Sequence, residues 1–174
     1  MNHLLTGPPR CGKTTALERT VECLRADGVA VGGVLTRERR RDGDRVGFVC
    51  RDLDSGEEGW LASVDREDGP RVGKYRVDRE TIRDVVVPAV EAGRSADVLV
   101  VDEIAAMQCH SAAFVAAVEN ALAHETPLLA SVATGSEGVP GAVTRREDVT
   151  VEWVREATRD AIPGRLCRSV STRL

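Results

Sequence analysis

The chain has 174 residues, of which 42% are hydrophobic and 30% charged, and its net charge is −4. These values predict one globular domain over residues 1–174, with a core of Val, Leu, Ala and Ile because aromatic residues make up only 3%. The acidic balance argues against a nucleic-acid-binding or membrane-binding surface, and no apolar run is long enough to span a bilayer.

The first predicted elements enclose a phosphate-binding loop. The stretch Gly7-Pro8-Pro9-Arg10-Cys11-Gly12-Lys13-Thr14 fits the pattern Gly-x-x-x-x-Gly-Lys-Ser/Thr at every fixed position. A buried strand is predicted before it at Leu4–Thr6, and a helix after it from Lys13 to about Ala26. We expect Lys13 to reach the β- and γ-phosphates and Thr14 to bind Mg²⁺. The alternative is a plain glycine-rich turn, which would not require this strand–loop–helix context.

The next stretch predicts a second buried strand and then an antiparallel insertion. Val29–Thr36 is the buried strand, and the insertion is a meander of strands at Arg45–Leu53 and Glu58–Ala62, after which Val72–Val77 is a further short strand. The charged stretch Arg37–Asp44 between them is predicted to be a turn. It is either a solvent-exposed hairpin tip or a basic contribution to phosphate or partner binding. A helix capped by Asp78 is predicted to follow as far as Ala92, kinked at Pro88.

Two adjacent carboxylates end the next predicted strand. Asp97-Val98-Leu99-Val100-Val101-Asp102-Glu103 has a continuous apolar run, as in a strand buried on both faces of a parallel sheet. In phosphate-loop enzymes an Asp at this position holds Mg²⁺, and a neighbouring Glu can polarise the attacking water. We therefore assign Asp102 to the metal and Glu103 to the water. Taken alone, two acids at the start of a loop would be unremarkable.

The remaining elements complete an alternating α/β pattern. A helix is predicted at Ser111–His124, strands at Pro127–Ala133 and Asp148–Val154, and a last helix at Arg155–Ile162 that ends at Pro163-Gly164. The tail 165–174 is predicted to be polar and frayed. Ser131 or Thr134 could sense the γ-phosphate, although a hydroxyl there often only hydrogen-bonds at a strand end. Arg145-Arg146 is either a solvated pair, a minimal lid or an arginine finger.

Five cysteines, at positions 11, 23, 50, 109 and 167, lack any paired spacing. We expect free thiols in a reducing cytoplasm rather than disulfides or a zinc site. A loop that begins at residue 7 is expected to leave no room for a signal peptide, which also favours the cytoplasm. Cys11 lies inside the loop at a helix N-terminus, so it is either a reactive thiol or a small space-filling side chain.

The carboxylate pair favours hydrolysis of a nucleoside triphosphate. No Asn-Lys-x-Asp motif for guanine is present, so broad base tolerance is expected. The alternatives are a nucleoside or small-molecule kinase, and a nucleotide-dependent regulatory switch with slow hydrolysis. A monomer is favoured, although an arginine from a neighbouring subunit stays open as an alternative.

The chain resembles the THEP-type nucleoside-triphosphatase family, also called the cancer-related NTPase family. The resemblance rests on the loop together with motifs spread over most of the chain, namely Gly32-Gly33-Val34-Leu35-Thr36-Arg37-Glu38, Arg45-Val46-Gly47-Phe48, Val72-Gly73-Lys74-Tyr75 and Val100-Val101-Asp102-Glu103-Ile104. It implies a three-layer, RecA-like phosphate-loop fold with a mainly parallel sheet. It also implies slow, Mg²⁺-dependent hydrolysis of several nucleoside triphosphates.

Carried over by position, the resemblance implies two nucleotide-contacting segments. These are Gly7–Thr14, with Gly7, Pro8, Pro9, Arg10, Cys11, Gly12, Lys13 and Thr14, and Val98–Ala105, with Val98, Leu99, Val100, Val101, Asp102, Glu103, Ile104 and Ala105. Lys13 and Glu103 would be catalytic, and Thr14 and Asp102 would hold the metal. The family usually continues Asp-Glu-Ile-Gly-Lys-Met-Glu, whereas this chain reads Asp102-Glu103-Ile104-Ala105-Ala106-Met107-Gln108. The segment between Ser131 and Asp148 also looks shorter than usual.

Overall fold

One mixed β-sheet runs through the molecule. The structure is a computed structural model and describes residues 1–135 and 137–173. In this part of the chain nine strands pair, in the order β5-β6-β4-β3-β2-β7-β8-β1-β9. Their bounds are β1 (Asn2–Thr6), β2 (Val31–Arg41), β3 (Asp44–Asp52), β4 (Glu58–Ser63), β5 (Arg71–Val72), β6 (Tyr75–Val77), β7 (Val98–Ile104), β8 (Leu128–Val132) and β9 (Val149–Trp153).

The helices of the described residues are α1 (Lys13–Ala26), α2 (Arg79–Thr81), α3 (Val87–Gly93), α4 (Ala106–Cys109), α5 (Ala112–Ala123), α6 (Gly138–Thr144) and α7 (Ile162–Ser171). A π-helical turn, Ile82–Val86, joins α2 to α3 and ends two residues before Pro88, where the sequence predicts a kink. The carboxylate of Asp78 caps α2 by accepting hydrogen bonds from two backbone N–H groups, as predicted. None of the helices within residues 1–135 and 137–173 has the length and apolarity needed to cross a membrane.

The parallel half of the sheet consists of β2, β7, β8, β1 and β9. Helices cover both of its faces, because alternate side chains of β7 enter two different cores. Val98 and Val100 pack in the core that contains residues of α1 and α7, whereas Leu99 and Val101 pack in the core that contains residues of α3 and α5. A strand that is buried on both faces has to be apolar at successive positions, which explains its continuous apolar run.

The antiparallel half projects beyond the parallel half. Strand β2 pairs with β7 only from Val31 to Val34, and it then continues to Arg41 paired with β3 alone. The reversal takes only Asp42 and Gly43, which both have positive φ (52° and 86°), as a tight two-residue hairpin requires. The predicted turn Arg37–Asp44 is therefore wrong in extent, because residues 37–41 belong to the strand.

The C-terminal helix differs from the prediction. Residues 159–161 form a single 3₁₀ turn, and α7 starts at Ile162 and runs to Ser171. The prediction treated Pro163 as a helix stop, whereas proline is favoured in the first helical turn, where its missing N–H would have no partner anyway. Leu166, Cys167 and Val170 are buried on one face of α7, so the predicted frayed tail is an amphipathic helix as far as Ser171. Leu174, at the end of that tail, lies outside the described residues.

A disulfide joins Cys23 of α1 to Cys167 of α7, with the two Cα atoms 6.2 Å apart. The prediction that all five cysteines are free thiols is therefore wrong for this pair, and it holds for Cys11, Cys50 and Cys109. The sequence offered no signal for the bond, because 144 residues separate the two cysteines and only the packing of α7 on α1 brings them together.

We expect the disulfide to stabilise the fold. Replacing both cysteines, Cys23→Ala with Cys167→Ala, should lower the free energy of unfolding by about 2–4 kcal/mol, because the closed loop restricts the unfolded chain. Urea unfolding of both proteins, with and without a reducing agent, measures this difference. The reductant should destabilise the native protein and leave the double variant unchanged. A native protein that is insensitive to reductant would contradict the bond.

Candidate active site

The loop between β1 and α1 has a backbone that requires glycine at two positions. Gly7 and Gly12 have φ of 149° and 107°. A Cβ atom on Gly7 would lie 2.8 Å from the Cys11 sulfur and 3.0 Å from the Val154 carbonyl oxygen, so only hydrogen fits there. Gly12 directly precedes the first residue of α1, and the loop therefore presents its backbone at a helix N-terminus, where backbone N–H groups attract anions.

Lys13, the first residue of α1, points back over the loop. Its Nζ donates a hydrogen bond to the Gly7 carbonyl oxygen at 3.1 Å and lies 3.4 Å from Oε1 of Glu103. The Lys13 side chain is only 10% exposed, whereas that of Glu103 is 31% exposed. The two residues assigned as catalytic are thus in contact, although 90 positions separate them in the sequence.

Asp102 is buried at the carboxyl end of β7 and accepts hydrogen bonds from three other elements. Its donors are the hydroxyl of Thr14 at 2.9 Å, the backbone N–H of Thr36 at 3.4 Å and the hydroxyl of Ser131. Burial raises the pKa of the Asp102 carboxyl to about 6, against the opposing effect of these hydrogen bonds. The two predicted metal ligands, Thr14 and Asp102, are therefore direct neighbours.

A cavity of about 660 Å³ opens above these groups. Loop residues form one side of it and residues of the β2–β3 hairpin form another. Its lining comprises Gly7, Pro9, Arg10, Gly12, Lys13, Thr14, Thr15, Glu18, Thr36, Arg37, Glu38, Arg45, Phe48, Asp102, Glu103, Ala133 and Thr134.

The charges that line this cavity are balanced. Three of its four cations form ion pairs with carboxylates of the same cavity, namely Lys13 with Glu103, Arg37 with Glu18, and Arg45 with Glu38. An anionic ligand that recruits one of these three cations would therefore release the carboxylate with which that cation is paired.

Several predicted site residues lie elsewhere. Val98, Leu99, Val100, Val101 and Ile104 are buried in the two cores, and neither they nor Ala105, Pro8 or Cys11 line the cavity, so their contact with a nucleotide stays a prediction. Of the two candidate sensors, Thr134 lines the cavity, whereas Ser131 is buried against Asp102. Arg146 pairs with Asp148, and neither it nor Arg145 lines the cavity.

The sequence interpretation missed the contribution of the β2–β3 hairpin. Thr36 donates to Asp102 through its backbone and, through its hydroxyl, to the backbone oxygen of Asp102 at 2.5 Å. Glu38, Arg45 and Phe48 line the cavity. Two signals were available in the sequence. The charged stretch after the second strand had a basic contribution to phosphate binding as one of its two interpretations, and these residues also belong to the motifs that carry the family resemblance.

The strand, the glycine-bracketed loop, the helix and the buried acid on a neighbouring parallel strand together define a phosphate-loop nucleotide-binding protein. A family model described as NTPase matches residues 2–167. The chain belongs to this family of nucleoside triphosphatases. The family and the assignment as an NTPase, both inferred from the sequence, are confirmed.

Proteins named as nucleoside triphosphatases or THEP1 are similar to this chain over nearly its whole length. Nucleoside-triphosphatase THEP1 of Thermofilum pendens is 43% identical, covering 98% of this chain and 96% of the relative. The protein of that name from Methanosarcina barkeri is 39% identical, covering 93% and 92%. The solution structure of a human cancer-related nucleoside triphosphatase has 30% identity and a TM-score of 0.81, covering 98% and 97%. The crystal structure of THEP1 from Aquifex aeolicus, at 24% identity, has the same fold with a TM-score of 0.87, covering 98% and 99%.

Burial of Asp102 predicts a pH dependence of stability in the metal-free protein. Its pKa is raised in the folded state, so the folded state holds the proton more tightly than the unfolded state does, and stability falls as the pH rises from about 4 to about 6. Asp102→Asn should lack this component, which is on the order of 2–3 kcal/mol. Urea unfolding of both proteins in EDTA across this range measures it. The prediction would be contradicted if the native protein became more stable relative to Asp102→Asn as the pH rises.

Thiol reactivity should be concentrated at Cys11. Burial raises the pKa of the Cys50 and Cys109 thiols to about 11, so only about one in a thousand is ionised at pH 8. Iodoacetamide should therefore label the half-buried Cys11 first. The added group would crowd Gly7, so labelling should block nucleotide binding, and bound nucleotide should protect the thiol. Mass spectrometry with a Cys11→Ala control tests this, and undiminished nucleotide affinity after stoichiometric labelling would overturn it.

Proposed function

We propose that this protein hydrolyses nucleoside triphosphates to the diphosphate and inorganic phosphate, with Mg²⁺ as its cofactor. The observation that carries the proposal is the pairing of Thr14 with Asp102, beside the pairing of Lys13 with Glu103, at one cavity. A phosphate-binding loop, an oxygen-donor pair for a metal and a carboxylate that can reach water are the parts that phosphoryl transfer to water needs.

The residues present fit a divalent cation of the Mg²⁺ type. A buried carboxylate beside a hydroxyl offers hard oxygen donors. The acid accepts hydrogen bonds, and no cation of residues 1–135 and 137–173 forms an ion pair with it. Thr14 would be a direct ligand, and Asp102 would hold the hydration shell. When bound, Mg²⁺ would neutralise charge on the β- and γ-phosphates.

The loop, Lys13 and Glu103 would have different roles in hydrolysis. The loop backbone would hold the phosphates, and Lys13 would exchange its contacts with Gly7 and Glu103 for phosphate oxygens. Glu103 would then be free to orient a water and accept its proton. The water oxygen forms a bond to the γ-phosphorus, the bond from that phosphorus to the bridging oxygen breaks, and the electron pair stays on the diphosphate.

Broad base tolerance is part of the proposal. A second cavity of about 290 Å³ adjoins the loop and is lined by Arg10, Gly12, Thr15, Ala16, Arg19, Arg159 and Asp160. We assign the ribose and base to this cavity because it adjoins the phosphate-binding loop. Arg19 and Asp160 form an exposed ion pair there, and flexible charged side chains accommodate different bases.

The remaining parts of the proposal rest on the sequence and the family. We infer a cytoplasmic, monomeric enzyme whose residues 1–174 form one catalytic domain of the RecA-like type. Nucleic acids and membranes are not among its proposed partners.

Two substitutions test the assignment of roles. Lys13→Ala should weaken Mg²⁺–ATP binding by at least about tenfold, because a buried ammonium contributes to phosphate binding. Glu103→Gln should bind ATP within about threefold of the native protein while losing roughly 10²-fold in kcat, because it can no longer accept a proton. Phosphate release with ATP, GTP, CTP and UTP, with and without EDTA, provides the rates, and calorimetry provides the affinities.

Glu58→Gln is a matched control, because Glu58 also lies 3.4 Å from a cation, Arg39, but does not line the cavity. It should behave like the native protein. Native turnover in Glu103→Gln would remove Glu103 from the mechanism. Phosphate transfer to an added nucleoside at a rate above hydrolysis would instead indicate a kinase.

A further inference from the structure

Two family motifs that are separate in the sequence meet in the structure. Arg45 and Phe48 lie on β3, and Tyr75 begins β6. The Arg45 Nε donates a hydrogen bond to the Tyr75 hydroxyl at 2.7 Å, and the Phe48 and Tyr75 rings pack edge to face with centroids 5.2 Å apart. The Arg45 guanidinium carbon lies 5.1 Å from the Phe48 centroid and 5.6 Å from that of Tyr75. Two of the five aromatic side chains of this chain thus hold one arginine.

A carboxylate, in addition to the two aromatic rings, contacts the Arg45 guanidinium. Oε1 of Glu38 accepts a hydrogen bond from Nη1 of Arg45 at 2.8 Å, and the other carboxylate oxygen of Glu38 accepts one from Arg40. The Arg45 side chain is 28% exposed. Nε and Nη1 are thus engaged, and the structure gives Nη2 no acceptor within residues 1–135 and 137–173. A guanidinium held in this way loses little conformational freedom when it binds a further anion.

Arg45 also lines the cavity above the phosphate-binding loop. It lines the same 660 Å³ cavity as Gly12, Lys13 and Glu103. The hairpin that carries it extends past the carboxyl edge of the parallel strands, where Asp102 lies. Of the other two arginines in the lining, Arg10 belongs to the loop itself, and Arg37 is 53% exposed and paired with Glu18.

We propose that Arg45 binds the terminal phosphate of the nucleotide within the same chain, and that Glu38, Phe48 and Tyr75 position it. The loop holds the inner side of a triphosphate, so the outer oxygens of the γ-phosphate face the hairpin. Charge on these oxygens has to be stabilised while the bond to the bridging oxygen breaks, and a fixed guanidinium does this well. This role deepens the proposed function and rests on it.

The test compares Arg45→Ala and Arg45→Lys with Arg41→Ala, which removes an exposed ion pair with Asp65 from the same hairpin. Arg45→Ala should lose at least about 10²-fold in kcat and bind Mg²⁺–ADP within about twofold of the native protein. It should also lose the gain in affinity that aluminium fluoride gives to Mg²⁺–ADP. Arg45→Lys should recover little, because an ammonium cannot reproduce the planar fork. Arg41→Ala should match the native protein.

A second variant separates positioning from folding. Tyr75→Phe keeps the ring and removes the hydroxyl that Arg45 contacts, so kcat should fall about three- to tenfold with unchanged ADP affinity and melting temperature. The proposal would be overturned if Arg45→Ala had the same kcat as Arg41→Ala. It would also be overturned if Arg45→Ala lost as much affinity for Mg²⁺–ADP alone as for Mg²⁺–ADP with aluminium fluoride.

Failure of the proposed function has a different signature. If the native protein releases no phosphate, hydrolysis is wrong, and the affinity for a non-hydrolysable ATP analogue relative to ADP still tests Arg45. Loss of that preference for the triphosphate in Arg45→Ala supports the contact with the terminal phosphate, and retention of the preference refutes it.

Discussion

The buried carboxylate of Asp102 is the interaction on which the site depends. An ionised acid out of water costs several kcal/mol unless its oxygens are paired. Three donors, Thr14, Thr36 and Ser131, pair them, and each belongs to a different element around β7. The same hydrogen bonds therefore fix the start of α1, the middle of β2 and the end of β8 relative to one another. Burial and the neighbouring charge of Glu103 raise the pKa of Asp102 against the opposing effect of these hydrogen bonds, so an added cation would stabilise the ionised form.

The charges around this acid explain how an anionic ligand can enter a site that already holds four carboxylates. Lys13, Arg37 and Arg45, three of the four cations that line the cavity, each have a carboxylate partner in the same cavity. A nucleotide accompanied by a divalent cation brings both signs of charge. Lys13 can then contact the phosphates instead of Glu103, and the Glu103 carboxylate becomes available to hydrogen-bond a water. Binding of the substrate and release of the proposed base would therefore be the same event.

Local chemistry made part of this arrangement predictable. The loop could be found because Gly7, Gly12 and Lys13 are required by backbone geometry and phosphate contact within eight residues, and β7 could be found because burial on both faces requires a continuous apolar run. Contacts that only the tertiary packing creates could not be found. Cys23 meets Cys167, and Ser131 meets Asp102, across the fold. Pro163 was misjudged because proline is compatible with both a helix stop and a helix start, and the burial of α7 on α1 decides between them.

The projecting β2–β3 hairpin of the antiparallel insertion carries a cation to the cavity. A cation aimed at a terminal phosphate can come from a closing lid, from a neighbouring subunit or from a rigid part of the same chain. Arg146 is paired with Asp148 away from the cavity, whereas β2 and β3 stay paired as far as Arg41 and Asp44 and carry Arg45 to it. Because the Phe48 and Tyr75 rings and Glu38 fix the guanidinium before any ligand arrives, no ordering of a mobile segment has to accompany binding. In the proposed role of Arg45, a cation supplied by the sheet itself would make both a lid and a partner subunit unnecessary for this step.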